Sequence, residues 1–388
     1  MNESKPLSPR NSAHTSATIK LPKKSRTQRF IRGLLFMLSS FLFVITLFIA
    51  WIFMTTSGHH FRYLVADTLI SSQHRIWAKY VIGDEALKSR VNDYQNIAVA
   101  TGSEKATHEI KLTENVSNPT QAKPVEIKEI SGKGYKGHIV YVRDPKSLRL
   151  VVPDKAGKGE KVSSMVKRTG ALLGVNAGGF ADPNWKGNGF VPIGLVISNG
   201  EIFFDSSGRN KPAQIVGIDK TGKMIAGNYS PNELLKLDIK EAVTFQPRLI
   251  VNGKGQLKNE AQGWGIAPRT AMGQKADGTI LFVIVDGRQP GHSIGTNLYE
   301  IQQILLSEGA VIAANLDGGS STVLVEGNGS NNSDESEEID PRIVNKPASQ
   351  HGERYLPTAF LVFEQPEAIT IPNIWAHATK EQLDPSRW

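Results

Sequence analysis

The 388-residue chain contains no cysteine. That excludes disulfide staples, thiol catalysis and thiolate-bound metal sites. A domain held outside the cytoplasm without disulfides must draw its stability from a core, and roughly 240 residues of globular sequence are enough to bury one. Acidic residues are scarce at the start: residues 1–32 hold eight lysines and arginines against Glu3 alone, which accounts for seven of the net charge of +8. The remainder is almost neutral, so the basic balance makes no case for nucleic acid as a partner. Residues 33–58 carry no charge at all. Within them Leu34–Met54 is long and apolar enough to cross about 30 Å of hydrocarbon. A secretory signal would have a shorter apolar core and a small-residue cleavage site. The basic residues ahead of the span place the N-terminus in the cytoplasm and the larger, C-terminal part of the chain outside. The expectation is a single-pass signal anchor in the cell membrane with an external domain.

Other devices are missing too. Ser320 and Ser321 do not lie in a G-x-S-x-G elbow, and no histidine or acid is placed by sequence to complete a triad. No phosphate-cradling glycine loop precedes a helix. The acidic stretch Gly327–Asp340 lacks an EF-hand arrangement and reads as a solvated loop. No internal repeat of fixed period is present.

Composition divides the chain into a basic tail (1–32), a membrane span (33–56), a juxtamembrane stalk and polar linker (57–124), a globular domain (125–365) and a loosely held tail (366–388). In the stalk, Phe61, Leu64, Val65, Leu69, Ile76, Trp77 and Tyr80 outline an amphipathic helix interrupted at Ser71-Ser72, either near the headgroups or packed on the domain. From Asn92 the sequence turns polar and reads as linker. The globular part alternates short apolar runs with turn signals, among them Asn199-Gly200 between two strand-like segments. The expected class is α+β: a mixed β-sheet domain with one βαβ crossover behind a single transmembrane helix.

That crossover carries the chemistry. Leu281–Val285 is an apolar run ending in Asp286-Gly287-Arg288, and Ala310–Asn315 is another, ending in Leu316-Asp317-Gly318-Gly319-Ser320-Ser321. Between them Leu298, Ile301, Ile304 and Leu305 recur at helical spacing, and Gly309 ends the helix. Strand–helix–strand order makes the two strands parallel members of one sheet. Asp286 and Asp317 then open on the same edge, one or two strand spacings of about 4.8 Å apart. That range overlaps the roughly 5–9.5 Å separations of glycosidase carboxylate pairs. Glu300 is a third acid, with a structural competitor: Asn297 stands at capping-box distance before it.

Candidate binding residues cluster around the same edge. Gly174–Phe180 ends a strand in Asn176, whose amide suits sugar hydroxyls, followed by Gly179 and by Phe180, which can stack on a sugar face. Arg269-Thr270 precede the Leu281–Val285 run, and Arg269, Arg288 and Arg248 are planar cations suited to phosphate oxygens. Lone His292 and His351 are weaker candidates. No cofactor is demanded by these residues; a divalent cation on the carboxylates stays open, as does oligomeric state.

Taken together, GVNAGGF, PRTAMG, VDGRQPGHSIGTNLYEI, ANLDGGSSTVLV and VNKPASQHGERYLPTAFLV resemble the phosphodiester glycosidase family over roughly Val125–Phe363. Family relatives often have a third glycine after DGG, where this chain has Ser320. The resemblance implies hydrolysis of a sugar-1-phosphodiester, of N-acetylglucosamine type, to free sugar and phosphomonoester. A phosphate-linked glycan, such as exopolysaccharide or wall polymer, is the implied substrate. On this reading Asp317, Asp286 and Glu300 are the catalytic acids, and Arg269 and Arg288 grip phosphate. Asn176, Gly179, Phe180, Thr270, Gly318, Gly319, Ser320 and Ser321 shape the sugar site. The rival from another class is a non-catalytic module that binds phosphate-containing polymer through the same groups. A transferase using a lipid-linked or nucleotide sugar is disfavoured by the external placement, where nucleotide sugars are scarce, and by the lack of a phosphate-cradling glycine loop before a helix.

Overall fold

The computed structural model describes residues 26–72, 74–107, 109–111, 123–183, 186–327, 340–349 and 351–387. Most of the basic tail, residues 112–122 of the expected linker and residues 328–339 of the acidic loop lie outside these. The chain forms two compact units, Met1–His60 and Phe61–Trp388. In the first, helix α1 (Arg26–Met54) has no buried residue and is long and apolar enough to cross a membrane.

Three sheets build the second unit, and every ladder among the described residues is antiparallel. The largest has seven strands in the order Val125–Gly132, Tyr135–Val142, Ile280–Val285, Arg269–Lys275, Ala310–Leu316, Arg248–Val251 and Lys254–Gly255. The expected crossover is present: Ile280–Val285 and Ala310–Leu316 run parallel, joined through a helix. They are two strand spacings apart, because Arg269–Lys275 pairs antiparallel with both. A five-stranded sheet holds Leu173–Asn176 between Leu324–Glu326 and Ala359–Val362. A second five-stranded sheet contains the Leu195–Ser198 and Glu201–Asp205 hairpin. Its turn, Asn199-Gly200, has φ of 52° and 78°, which two-residue hairpin loops of this type require.

Strand periodicity explains the layers. Ile280, Phe282 and Ile284 point into a core shared by all three sheets, with Val140, Val175, Val216 and Phe360. The alternate residues Leu281, Val283 and Val285 face the opposite way, onto Leu298, Ile301 and Leu305 of the crossover helix. A buried ion pair ties the two five-stranded sheets: Arg149 Nε donates to Glu241 Oε1 at 2.7 Å, and the Leu150 amide donates to Glu241 Oε2 at 3.0 Å. Burial still pushes Glu241 up to about 7.

Two expectations about the flanks are corrected. After α2 (Thr56–Ile70), the break at Ser71-Ser72 is followed by α3 (Ala78–Ile82) and α4 (Asp84–Ser103), so Asn92–Ser103 is helix rather than linker. It is held by tertiary contacts that composition does not show. Arg90 grips Asp67 through two 2.7 Å hydrogen bonds and also donates to the Ala261 carbonyl. Tyr94 stacks on Trp264 with ring centroids 5.5 Å apart. The C-terminal tail is not loose either. Trp375 is buried, packs near Phe190 and Phe204, and donates its indole N–H to the Phe190 carbonyl at 3.1 Å.

Candidate active site

The register of the large sheet sets the site. Arg269 pairs with Val285 and Thr270 with Leu316, so the start of the central strand lies between the strand ends that deliver Asp286 and Asp317. The Asp317 backbone is clamped between sheets. Its N–H donates to the Ala177 carbonyl at 3.0 Å, and its carbonyl accepts from Asn176 Nδ2 at 2.5 Å. Gly319 then adopts φ of 62°, and its N–H donates to the Pro268 carbonyl at 2.9 Å. A Cβ there would meet Arg288 Nη1 at 3.4 Å, an ordinary contact, so it is the left-handed turn that favours glycine.

Asp317 faces a cavity of about 510 Å³. The expected Gly179, Phe180, Arg269, Arg288, Gly318, Gly319, Ser320 and Ser321 line it as well. Desolvation pushes the Asp317 carboxyl up to about 6, against the lowering effects of a Ser321 hydrogen bond and the nearby Arg354 charge. The Arg288 guanidinium lies at the Gly319 face, and no carboxylate partner for it occurs among the described residues.

The other two carboxylates are elsewhere. Asp286 is buried and does not line the cavity. Its oxygens are engaged by His292 Nε2 at 2.7 Å, Asn345 Nδ2 at 2.9 Å and the Lys346 N–H at 3.0 and 3.2 Å. It is a clasp between two loops. Glu300 is also outside the cavity, at the start of α7 once the short helices α5 (Val162–Thr169) and α6 (Pro231–Lys236) are counted, α7 being the crossover helix Leu298–Ser307. Its amide donates to Asn297 Oδ1 at 2.9 Å and its carboxylate accepts weakly from Tyr135 at 3.4 Å. Capping accounts for its position.

Four further candidate binding residues are engaged inside the protein. Asn176 is fully buried; besides holding Asp317, its Oδ1 accepts from Thr270 Oγ1 and from the Val323 N–H, both at 3.0 Å. Thr270 is equally buried. Both are buried in the platform under Asp317 and neither lines the cavity. Arg269 reaches the cavity wall, but its Nε and Nη2 donate to the carbonyls of Thr296, Trp264 and Gly265 at 3.2, 2.8 and 2.8 Å. Burial pushes it down to about 10. Those two nitrogens pin the turn carrying Trp264. Arg248 is buried away from the cavity, donating to the Ala226 carbonyl. Asn176→Ala should strand the Val323 amide, release the Asp317 carbonyl and leave the Thr270 hydroxyl only its 3.3 Å contact with Thr322, lowering unfolding free energy by about 2 kcal/mol in urea titrations.

The residue that motif reading missed is Arg354. It lines the cavity, donates to Asp182 Oδ2 at 2.6 Å and to Ser320 Oγ at 3.3 Å, and stacks its guanidinium 4.7 Å from the Phe180 ring centroid. Its signal was the ERYLPTAF segment, which was legible only as a resemblance. The far wall comes from α2 to α4: Ser71, Ser72, Arg75, Tyr94 and Gln95. Asn315 Oδ1 and Trp264 Nε1, both on lining residues, are buried with no hydrogen-bond partner among the described residues, leaving one acceptor and one donor. Among the described residues, no group of three or more His, Cys, Asp or Glu side chains could hold a metal ion.

Fold and cavity define an α+β protein with a desolvated carboxylate set among arginines on a glycine–serine loop, suited to an anionic substrate. A family model described as phosphodiester glycosidase matches residues 169–363, half of the chain. The chain belongs to the phosphodiester glycosidase family. It is 33% identical over 181 residues to the SPbeta prophage-derived uncharacterized protein YomE of Bacillus subtilis, covering 45% of this chain and 27% of that protein. It is 27% identical over 222 residues to the Mus musculus N-acetylglucosamine-1-phosphodiester alpha-N-acetylglucosaminidase, covering 51% and 41%. The chain thus spans well under half the length of these relatives. The zebrafish catalytic domain of the latter enzyme, solved auto-inhibited by its pro-peptide, superposes with a TM-score of 0.52 at 20% identity, covering 69% of this chain and 92% of that one. That likeness is one of fold.

Proposed function

We propose that this chain hydrolyses a sugar-1-phosphodiester, of the N-acetylglucosamine type named for its mouse relative, to free sugar and a phosphomonoester. The observation that carries the reading is Asp317: a carboxylate pushed up to about 6 in a cavity that also presents Arg288 and Arg354. Water adds at the anomeric carbon, and the bond from that carbon to the phosphate oxygen breaks. Ionised Asp317 serves as the carboxylate that activates the water or stabilises the oxocarbenium-like centre. Arg288, Arg354 and Ser320 hold the phosphate as charge develops on its leaving oxygen. Phe180 offers its ring to the sugar, and the Asp286 clasp positions the loop that carries Arg288. In the same reading α1 spans the membrane, with the domain outside acting on exopolysaccharide or wall polymer.

The test is release of free sugar from an α-N-acetylglucosamine 1-phosphate alkyl ester by the full chain, with and without EDTA. Saturable binding of phosphopolymer with no release would replace the enzyme with the binding module. Because the ionised form of Asp317 is the active one, kcat/KM should fall about tenfold per pH unit below about 6 and level off above it. A flat profile between pH 4.5 and 7 would remove Asp317 from that role.

A further inference from the structure

We infer that the segment between α2 and α4 is a second membrane contact, in which Ile76, Trp77 and Tyr80 enter the headgroup region of an anionic bilayer beside Arg75 and Lys79. These three apolar side chains are 68%, 57% and 80% exposed, although they lie within five consecutive residues. Single exposed apolar residues are ordinary; a contiguous set across the 3-10 turn Arg75–Trp77 and the start of α3 is not. The core side of that element is already satisfied. Ala78 is fully buried, and it packs with Val81 and Ile82 against Ala66, Ile70 and Tyr94. Ile76, Trp77 and Tyr80 fall three and four residues apart and so share the opposite face.

The chemistry of this face fits a lipid interface. His74 stacks on Trp77 with centroids 4.5 Å apart, and Lys79 Nζ sits 5.1 Å from the Tyr80 ring centroid. Aromatic rings with an apolar body and a polar edge, flanked by long cationic side chains, occupy the headgroup level of membranes. Residues 74–83 contain Arg75 and Lys79 and no acidic side chain. That favours anionic lipid over a second copy of the same patch, which would bring like charges together. Sequence continuity points the same way, since Arg75 follows the last residue of α1, Met54, by 21 residues.

The segment also closes the cavity: Ser71, Ser72 and Arg75 belong to its wall. A bilayer contact here brings the mouth of the cavity to the lipid surface. If the glycosidase reading holds, its substrate is a sugar phosphodiester presented at that surface; the contact itself does not depend on that reading.

The absence of cysteine makes the test direct. Ile76→Cys and Tyr80→Cys each give the full chain one site for a nitroxide label, at exposed positions whose replacement leaves the core intact. Lys254→Cys, on an exposed strand of the large sheet, is the aqueous control. In nanodiscs of phosphatidylcholine and phosphatidylglycerol, labels at 76 and 80 should show an oxygen-to-nickel-chelate collision ratio several-fold above that at 254. Ratios equal to the control would overturn the contact. So would strong dipolar coupling between labels at Ile76→Cys of two chains, which would assign the face to a second copy. Label depth is measured without substrate, so loss of the glycosidase reading leaves this result standing.

Discussion

Asp317→Asn should lower turnover of a sugar-1-phosphodiester by about 10³-fold, within the range that positioned acid–base groups contribute. Its thermal unfolding at pH 7 should be unchanged or slightly later. The sign comes from the raised pKa. A carboxyl whose folded value is about 6, above its ordinary 3.8, costs the fold stability as pH rises from the lower value through the higher one. Removing that charge therefore cannot destabilise through ionisation, and asparagine keeps an acceptor for the Ser321 hydroxyl. Equal loss of turnover and stability would make Asp317 a structural residue. The paired control is Asp286→Asn. Its carboxylate is fixed by His292, Asn345 and the Lys346 amide, so loss there should appear in stability as well as rate.

Arg354→Lys should cost about 10²-fold in kcat/KM despite keeping the charge. A single lysine ammonium cannot reproduce a planar fork that donates to Asp182 and Ser320 while stacking on Phe180. Losing one donor aimed at developing charge has a cost of this order. Arg354→Met should be worse and should also destabilise, because Asp182, with a side chain only 8% exposed, would be left without its cation. Kinetics with urea unfolding of both variants separates the terms. Turnover of Arg354→Lys within twofold of the parent would remove Arg354 from phosphate recognition.

Much of the frame was readable from local pattern. The apolar period of residues 298–305 and the runs on either side made a strand–helix–strand unit, and that unit is present. The inserted antiparallel strand was not readable, because Arg269–Lys275 precedes both partners in sequence and only pairing puts it between them. Composition misjudged the flanks for a related reason. Asn92–Ser103 is polar, yet Tyr94 finds Trp264; the C-terminal tail is sparse in apolar residues, yet Trp375 finds Phe190.

The candidate site divides along the same line. The Asp317–Ser321 loop was legible because a strand end, two glycines and two serines act within a few residues. Which carboxylate opens to the cavity was decided by distant partners. Asn345, 59 residues from Asp286, captures that aspartate, while Asn176, 141 residues from Asp317, holds only its carbonyl and leaves the carboxylate turned to the cavity. Arg354 joins Asp182 across 172 residues. The sequence by itself determined the apolar helix, the strand and helix periods and the loop that bears Asp317, since each depends on neighbours along the chain. Tertiary structure alone decided that Asp317 faces the cavity, that Asn176, backed by Thr270, holds its backbone, that Asp286 is tied up by His292, Asn345 and Lys346, and that α2 to α4 close the far wall. Those outcomes depend on hydrogen bonds and burial between segments that meet only when the sheets pack.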